Sequence, residues 1–213
     1  SPHLERILEL AAERGETNEF VLVAKVQRLR AVRLAPNLRE RAEHETIALT
    51  SEALLLRPDF AYALKLRGIA NFSLGKYPAA EADLSRALEL EPNSYVALYA
   101  RILTRYQAKQ RVQTLADTDR LLNLQPGDHE LRQFRLLLLR ELRRYESAKT
   151  EADELVRQRP TAAEVWVERA VIELHLKHDK GAVADARRGL ELGATGRVAA
   201  LAHLIQAEVQ QRQ

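Results

Sequence analysis

The sequence predicts an all-α protein, a solenoid built from repeated helix–turn–helix units. Two observations support this prediction. Four prolines, Pro58, Pro92, Pro126 and Pro160, stand 34 residues apart, and Ala194 occupies the next place in the series. Between them, apolar residues recur at helical spacing and are interrupted by turn-forming residues, as in paired helices. A fixed period of this kind indicates units that bury their apolar faces only against their neighbours.

The unit from Pro58 to Pro92 shows the pattern most clearly. It predicts a helix with Gly68 near its middle, a tight turn at Gly75, and a second helix that contains Ala80. The place of Ala80 is again occupied by small residues in the later units, namely Thr114, Ala148 and Ala182. Small residues at these places allow neighbouring helices to approach closely. The spacing, the small residues and the prolines together resemble the tetratricopeptide repeat, and the resemblance covers residues 58–194.

The resemblance implies a right-handed α-solenoid in three segments. Residues 1–57 are expected to hold an N-terminal helix and an irregular, extended helical pair. Residues 58–194 are expected to hold four 34-residue repeats, and residues 195–213 a C-terminal capping helix. Inside the repeats we expect the helices to break near Gly75, Lys109, Arg143 and Asp179.

The first segment departs from the regular repeat. A short first helix is expected to stop at Gly15, and Thr17 and Asn18 are the two candidate N-caps for the next helix. That helix should end near Ala35, because Pro36 disfavours the helical conformation in the residue before it. Residues 37–42 are then expected to form a connection longer than the other interhelical turns.

The resemblance also implies a binding surface on the first helix of each repeat, which lines the inner face of such a solenoid. The residues at the corresponding places are Tyr62, Lys65, Ile69, Phe72, Tyr99, Leu103, Tyr106, Gln133, Leu137, Arg140, Val167 and Val171. Tyrosine suits such a surface because its ring buries apolar area with little loss of side-chain entropy. We therefore expect Tyr62, Phe72, Tyr99 and Tyr106 to hold an extended segment, or the apolar face of a helix, from a protein or peptide partner. The alternative for each ring is packing within the protein.

One branch of the family binds the acidic C-terminal tails of heat-shock chaperones through a clamp of lysine, arginine and asparagine on this face. Here only Lys65 occupies a clamp-like place, while Ile69 and Leu103 stand where the clamp presents asparagine. Glu164 and Glu168 add negative charge where the clamp needs positive charge. A free carboxylate would find few charge-assisted donors here, so we do not expect chaperone-tail binding.

Arginines are grouped in two places. One group lies between Lys25 and Arg41, and the other comprises Arg132, Arg135, Arg140, Arg143 and Arg144. Such groups could meet an acidic partner, an anionic glycan, a lipid or a nucleic acid. Glutamates flank them, however, and the formal net charge is only +3. We therefore expect no nucleic-acid partner, because nucleic-acid-binding proteins show a more concentrated basic stripe.

The sequence offers little for catalysis, metals or cofactors. Cysteine is absent, which excludes disulfides, thiolate metal sites and cysteine nucleophiles. Only His175, His178 and Asp179 form a local group that could suggest a metal, and its spacing is unlike a His-Glu-x-x-His helix. A solvated helix end is the preferred interpretation. With no glycine-rich phosphate loop and no serine elbow, we expect neither enzymatic activity nor a cofactor.

The cellular context stays open between alternatives. No run approaches the roughly 18 apolar residues of a membrane helix, so no transmembrane segment is expected. Methionine is absent even at residue 1, so we expect Ser1 to begin an excised or processed fragment. The excess of arginine over lysine suggests a GC-rich bacterial coding sequence, with the cytoplasm and the periplasm both open.

Three roles fit these observations. The first, which we predict, is a free adaptor that binds a protein or peptide partner in its concave groove and supports assembly of a multiprotein complex; the other two are alternatives. The second is a periplasmic segment of a larger bacterial envelope secretion or polysaccharide-export protein. The third is self-association into a homo-oligomer through the terminal helices.

Overall fold

A computed structural model describes residues 6, 8–11, 13, 17–31 and 36–212 of the 213-residue chain. Every regular element bounded within these residues is an α-helix, and residues 6, 8–11 and 13 are helical as well. The helices are α1 Glu19–Ala31, α2 Pro36–Leu56, α3 Ala61–Ser73, α4 Tyr77–Leu90, α5 Tyr95–Gln107, α6 Arg111–Leu124, α7 His129–Glu141, α8 Tyr145–Gln158, α9 Ala163–His175, α10 Asp179–Glu191 and α11 Gly196–Gln211.

The chain divides into two compact units. Unit 1 comprises Ser1–Leu124 and unit 2 comprises Gln125–Gln213. In unit 1, each of the helices α1 to α5 packs against the next, and α3 also contacts α5. In unit 2, each of the helices α7 to α10 packs against the next, and α9 also contacts α11. We call α1, α3, α5, α7, α9 and α11 the first helices, because each of the first five begins a helical hairpin.

Tight turns separate the two helices of each repeat. Gly75, Lys109, Arg143 and Lys177 have left-handed backbone conformations, with φ values of 71°, 61°, 55° and 61°. In each turn the following amide donates to a carbonyl five residues back, such as Lys76 N to Asn71 O at 2.9 Å. This pattern satisfies carbonyls at the end of the first helix. The fourth break therefore lies at Lys177, whereas Asp179, where it was expected, begins α10.

The first hairpin corrects one prediction. Pro36 begins the 21-residue helix α2, so the connection expected at residues 37–42 is wrong. Proline is well tolerated in the first turn of a helix, where a backbone N–H would have no partner within the helix. The helix ends expected at Gly15 and near Ala35 lie outside the described residues. The Asn18 cap is confirmed, since its Oδ1 accepts from the amides of Phe20 and Val21, both at 3.0 Å.

Small residues lie where the helices of a hairpin approach each other. Ala80, Thr114, Ala148 and Ala182 are all fully buried. A Cβ atom added to Gly68 would lie 2.7 Å from Leu84 Cγ on the second helix. These places therefore require small side chains because the helices are close.

A repeated ion pair joins the two helices of each 34-residue repeat, and the sequence analysis missed it. An arginine on the first helix binds a buried carboxylate on the second, 16 residues later. The four pairs are Arg67–Asp83, Arg101–Asp117, Arg135–Glu151 and Arg169–Asp185. We call them the arginine clamps.

Three of these arginines also reach back to the second helix of the preceding hairpin. Arg67 donates to Ser51 Oγ at 3.2 Å and Arg101 donates to Ser85 Oγ at 3.1 Å. In unit 2, Arg169 donates to Asp153 at 2.9 Å. Its hydrogen bonds to Asp185 raise the pKa of the Arg169 guanidinium, and those to Asp153 raise it further, against the opposing effect of burial. The clamps thus fix both the hairpin and the helix that precedes it.

Candidate functional site

The expected binding residues of unit 1 lie along the first helices α3 and α5. Tyr62, Lys65, Ile69 and Phe72 follow the helical spacing of one face of α3, and all four are partly exposed. On α5, Tyr99 is exposed, and Leu103 and Tyr106 are partly exposed. All seven therefore have access to solvent.

Tyr62 is held by contacts with its neighbours. Its hydroxyl accepts a hydrogen bond of 2.8 Å from Gln27 Nε2, which ties α3 to α1. The Lys65 ammonium lies 5.4 Å from the centre of the Tyr62 ring and 2.6 Å from a carboxylate oxygen of Glu91. Because the Lys65 charge is matched within the protein, this side chain is a poor donor for a free carboxylate tail.

Two phenylalanines extend the aromatic surface beyond the predicted set. The Phe20 ring on α1 meets the Phe60 ring edge-on, with centroids 5.4 Å apart. Phe60 in turn lies 6.5 Å from Tyr62, and Phe20 remains exposed. These two residues were not predicted as part of the site. They lie 40 positions apart in the sequence, so their contact forms only when α1 packs beside the start of α3.

The start of α5 carries an exposed aromatic pair. The rings of Tyr95 and Tyr99 are stacked, with centroids 6.0 Å apart and planes 6° from parallel. Tyr95 is 42% exposed, Tyr99 45% and Val96 between them 54%. We call these three residues the tyrosine patch. Tyr95 and Val96 were missed, although the i, i+4 spacing of the two tyrosines on a helix is a signal for stacking.

Two other predicted rings pack mainly within their own hairpins. Phe72 lies 6.0 Å from Tyr77, which begins the second helix of the same repeat. The Arg111 guanidinium lies 3.9 Å from the centre of the Tyr106 ring. For both residues, part of the ring is therefore already covered by the protein.

In unit 2, a groove of about 290 Å³ separates α7 from α9. It brings together three predicted residues, and its lining comprises Gln133, Leu136, Leu137, Arg140, Leu155, Glu164, Val165 and Glu168. Arg140 binds Glu168 across the groove, and Arg159 binds Glu164 at 2.9 Å. The groove therefore has an apolar floor and charged edges whose charges are paired.

Val167 and Val171 do not belong to a free surface, contrary to expectation. They are 1% and 7% exposed and lie in a core with Ala186, Ala202 and Ile205. Val167 packs against Gly189 of α10, where an added Cβ atom would lie 2.5 Å from a Val167 methyl group. The helix α11 also packs against α9 and contributes Ala202 and Ile205 to the same core. At these exposures, neither valine side chain offers more than a small area to a partner.

The histidines near the end of α9 have structural partners. The His175 ring stacks on Tyr145 with centroids 4.5 Å apart, and His178 Nδ1 lies 2.6 Å from Glu173. Across the described part of the chain, no three histidine, aspartate or glutamate side chains are grouped to hold a metal ion. No helix within the same residues has the length and hydropathy to cross a membrane.

The second arginine group is largely used inside unit 2. Arg132 and Arg135 both bind Glu151, which is buried, and Arg140 binds Glu168. Three of the five arginines therefore have their charge matched by the protein itself.

Comparison with known proteins gives the family. Tetratricopeptide repeat models match residues 61–94 and 135–200. No curated protein matches the chain. Among solved structures, YrrB, described as a TPR protein with an unusual peptide-binding site, has a TM-score of 0.74 at 18% identity; the match covers 92% of this chain and 97% of YrrB.

Two structures of MamA are also similar. MamA 41-end from Desulfovibrio magneticus RS-1 has a TM-score of 0.62 at 19% identity, and the match covers 82% of this chain and 94% of that one. A further MamA structure has a TM-score of 0.66 at 13% identity, covering 82% and 91%. These likenesses concern the fold alone, and they confirm the predicted α-solenoid of helix–turn–helix repeats. The two matching repeat models confirm that the chain is a tetratricopeptide repeat protein.

Proposed function

We propose that the protein is a non-enzymatic scaffold that binds a segment of another protein on the first helices of unit 1 and supports assembly of a multiprotein complex. The observation that carries the proposal is the tyrosine patch, Tyr95, Val96 and Tyr99, which is exposed on a first helix. Large exposed apolar groups that form a continuous surface mark interaction sites.

The chemistry of the patch favours a partner segment with apolar side chains. The two parallel rings offer rigid apolar area, and tyrosine loses little entropy when it is covered. Lys65 and Glu91 pair with each other, so this surface offers little unmatched charge. An extended segment or the apolar face of a helix would gain free energy mainly from burial.

The groove of unit 2 is proposed as a second contact region. Gln133 and Leu137 supply an amide and an apolar side chain to it, and Arg140 with Glu168 forms its edge. The similar fold of YrrB, a TPR protein with an unusual peptide-binding site, supports the same kind of function here.

A peptide display library tests the proposal. Peptides selected on the wild-type protein are titrated by calorimetry into wild type, Tyr99→Ala and Val112→Ala. Val112 is a matched control because it is 54% exposed on α6, a second helix. We expect Tyr99→Ala to weaken binding about tenfold, since truncation of a buried aromatic anchor costs more than about 1 kcal/mol, and Val112→Ala to have no effect.

The result that contradicts the proposal is equally specific. If the selected peptides bind Tyr99→Ala as tightly as wild type, the tyrosine patch is not the site. Such peptides are then titrated into a Leu137→Ala variant. Weaker binding to this variant assigns them to the groove of unit 2, and unchanged binding excludes that groove.

A further inference from the structure

The last helix, α11, leaves one face open to solvent. Arg197, Ala200, Leu204, Ala207 and Glu208 all lie on this face, because spacings of 3, 4 and 7 residues return to the same side of a helix. All five are exposed, and Leu204 is the most exposed leucine of unit 2, at 65%. We call these residues the α11 face.

Comparison with the earlier repeats shows that the place of Leu204 is normally buried. The residues 34, 68 and 102 positions earlier are Ala170, Leu136 and Ile102, with exposures of 0%, 3% and 1%. The residue at the same place in the first repeat, Gly68, packs against Leu84 of its second helix. The α11 face is therefore the surface on which the second helix of a hairpin packs, and among the described residues no such helix follows α11.

We propose that the α11 face binds the α11 face of a second copy of this chain, with the two helices antiparallel about a twofold axis. The face is complementary to itself in this arrangement. Arg197 lies near the start of the helix and Glu208 near its end, about 16 Å apart along the axis. An antiparallel pair brings Glu208 of each copy beside Arg197 of the other, and Leu204 of each copy over Ala200 of the other.

The small residues and the position of Glu208 fit this pairing. Ala200 and Ala207 flank Leu204, so two helices can approach closely enough for each leucine to be covered. Arg212 binds Glu208 and also lies 3.3 Å from Asp179, which holds the Glu208 side chain at the edge of the face. Because a twofold axis relates the two copies, the ion pair between Arg197 and Glu208 forms twice in the dimer.

An apolar groove next to the face supplies further contact area. It has a volume of about 440 Å³ and its lining includes Val171, Leu174, Leu201 and Leu204. A single helix pair buries less area than a standard protein interface, so the dimer should be weak, with a dissociation constant of about 10 to 100 μM.

Sedimentation velocity across a dilution series from about 5 to 500 μM measures this association. We expect wild type to change from monomer to dimer over this range, and Leu204→Glu to remain monomeric. Val112→Glu is the control, because it places the same charge on another exposed aliphatic residue and should dimerise like wild type. A wild type that is monomeric throughout, or a dimer that survives Leu204→Glu, would overturn the proposal.

A charge exchange tests the antiparallel geometry. Arg197→Glu alone and Glu208→Arg alone should each dimerise at least tenfold more weakly than wild type, because like charges then meet twice. An equimolar mixture of the two variants should associate as well as wild type, since both contacts again join opposite charges. A mixture no better than the single variants would refute the arrangement. Circular dichroism of each variant confirms that α11 is still folded.

Discussion

The replacement Asp117→Ala should strongly destabilise unit 1, because it breaks a buried arginine clamp. The Asp117 carboxylate is only 5% exposed and accepts from Arg101 at 2.8 and 2.6 Å and from Arg105 at 2.8 Å. Removing one partner of a buried ion pair costs about 3 to 5 kcal/mol, because an unpaired charge stays buried. The replacement leaves two guanidinium groups without this acceptor.

The contacts that Arg101 and Arg105 keep in Asp117→Ala decide where the loss of stability falls between about 3 and 5 kcal/mol. Arg105 keeps Glu81 at 2.8 Å, and Arg101 keeps only the Ser85 hydroxyl at 3.1 Å. One guanidinium, that of Arg101, is therefore left without a carboxylate. We accordingly expect a loss of about 3 kcal/mol in the free energy of unfolding.

Chemical denaturation followed by circular dichroism at 222 nm measures this loss. The matched control is Glu89→Ala, which removes a glutamate bound to Arg86 at 2.7 Å where both side chains are exposed. Exposed pairs of this kind contribute less than about 1 kcal/mol. If Asp117→Ala destabilises the protein no more than Glu89→Ala, the arginine clamps do not have the energetic role that their burial indicates.

Three further predictions concern single residues. Gly189→Ala should destabilise unit 2 by about 1 to 3 kcal/mol, because the added Cβ atom would lie 2.5 Å from a methyl group of Val167 on α9. The control Gly127→Ala should leave the free energy of unfolding unchanged in the same denaturation experiment, because the space around Gly127 is open. Arg143→Gly should raise the melting temperature by a few degrees, because φ is 55° there and glycine adopts this conformation without strain. The hydrogen bond to Asp153 raises the pKa of Lys149 above its ordinary 10.5. The stability that Lys149 contributes is therefore fully present below pH 10.5 and is lost as the pH rises through the higher folded-state pKa. The difference in unfolding free energy between wild type and Lys149→Met, measured by denaturant titration, should shrink as the pH rises above 10.5.

The sequence predicts the helical hairpins well because their signals are local. The small residues at Ala80 and its counterparts and the left-handed turn at Gly75 act within one repeat, and the 34-residue spacing of the prolines marks where each repeat ends. The expectation for residues 37–42 failed because Pro36 is compatible with two outcomes. A proline can follow the end of one helix or begin the next, and local preference alone does not decide between them.

The site is less predictable because its exposure depends on packing between helices. Val167 and Tyr99 occupy equivalent places two repeats apart, yet the valine is buried in a core with residues of α10 and α11 while the tyrosine remains exposed. The arginine clamps could have been predicted from the repeat period. An arginine recurs every 34 residues from Arg67, and an aspartate or glutamate recurs every 34 residues from Asp83. Their pairing is visible only when the two helices of the hairpin are placed side by side.

Site-specific photo-crosslinking tests the proposed function most directly. A benzoyl-phenylalanine is placed at position 99 or, as the control, at position 112, and the protein is irradiated in cells of its source organism. The proposal predicts that position 99 forms a crosslink to a defined segment of another protein, mapped by mass spectrometry, and that position 112 does not. Equal crosslinking from both positions, or crosslinking from position 112 alone, would contradict a binding surface on the first helices of unit 1.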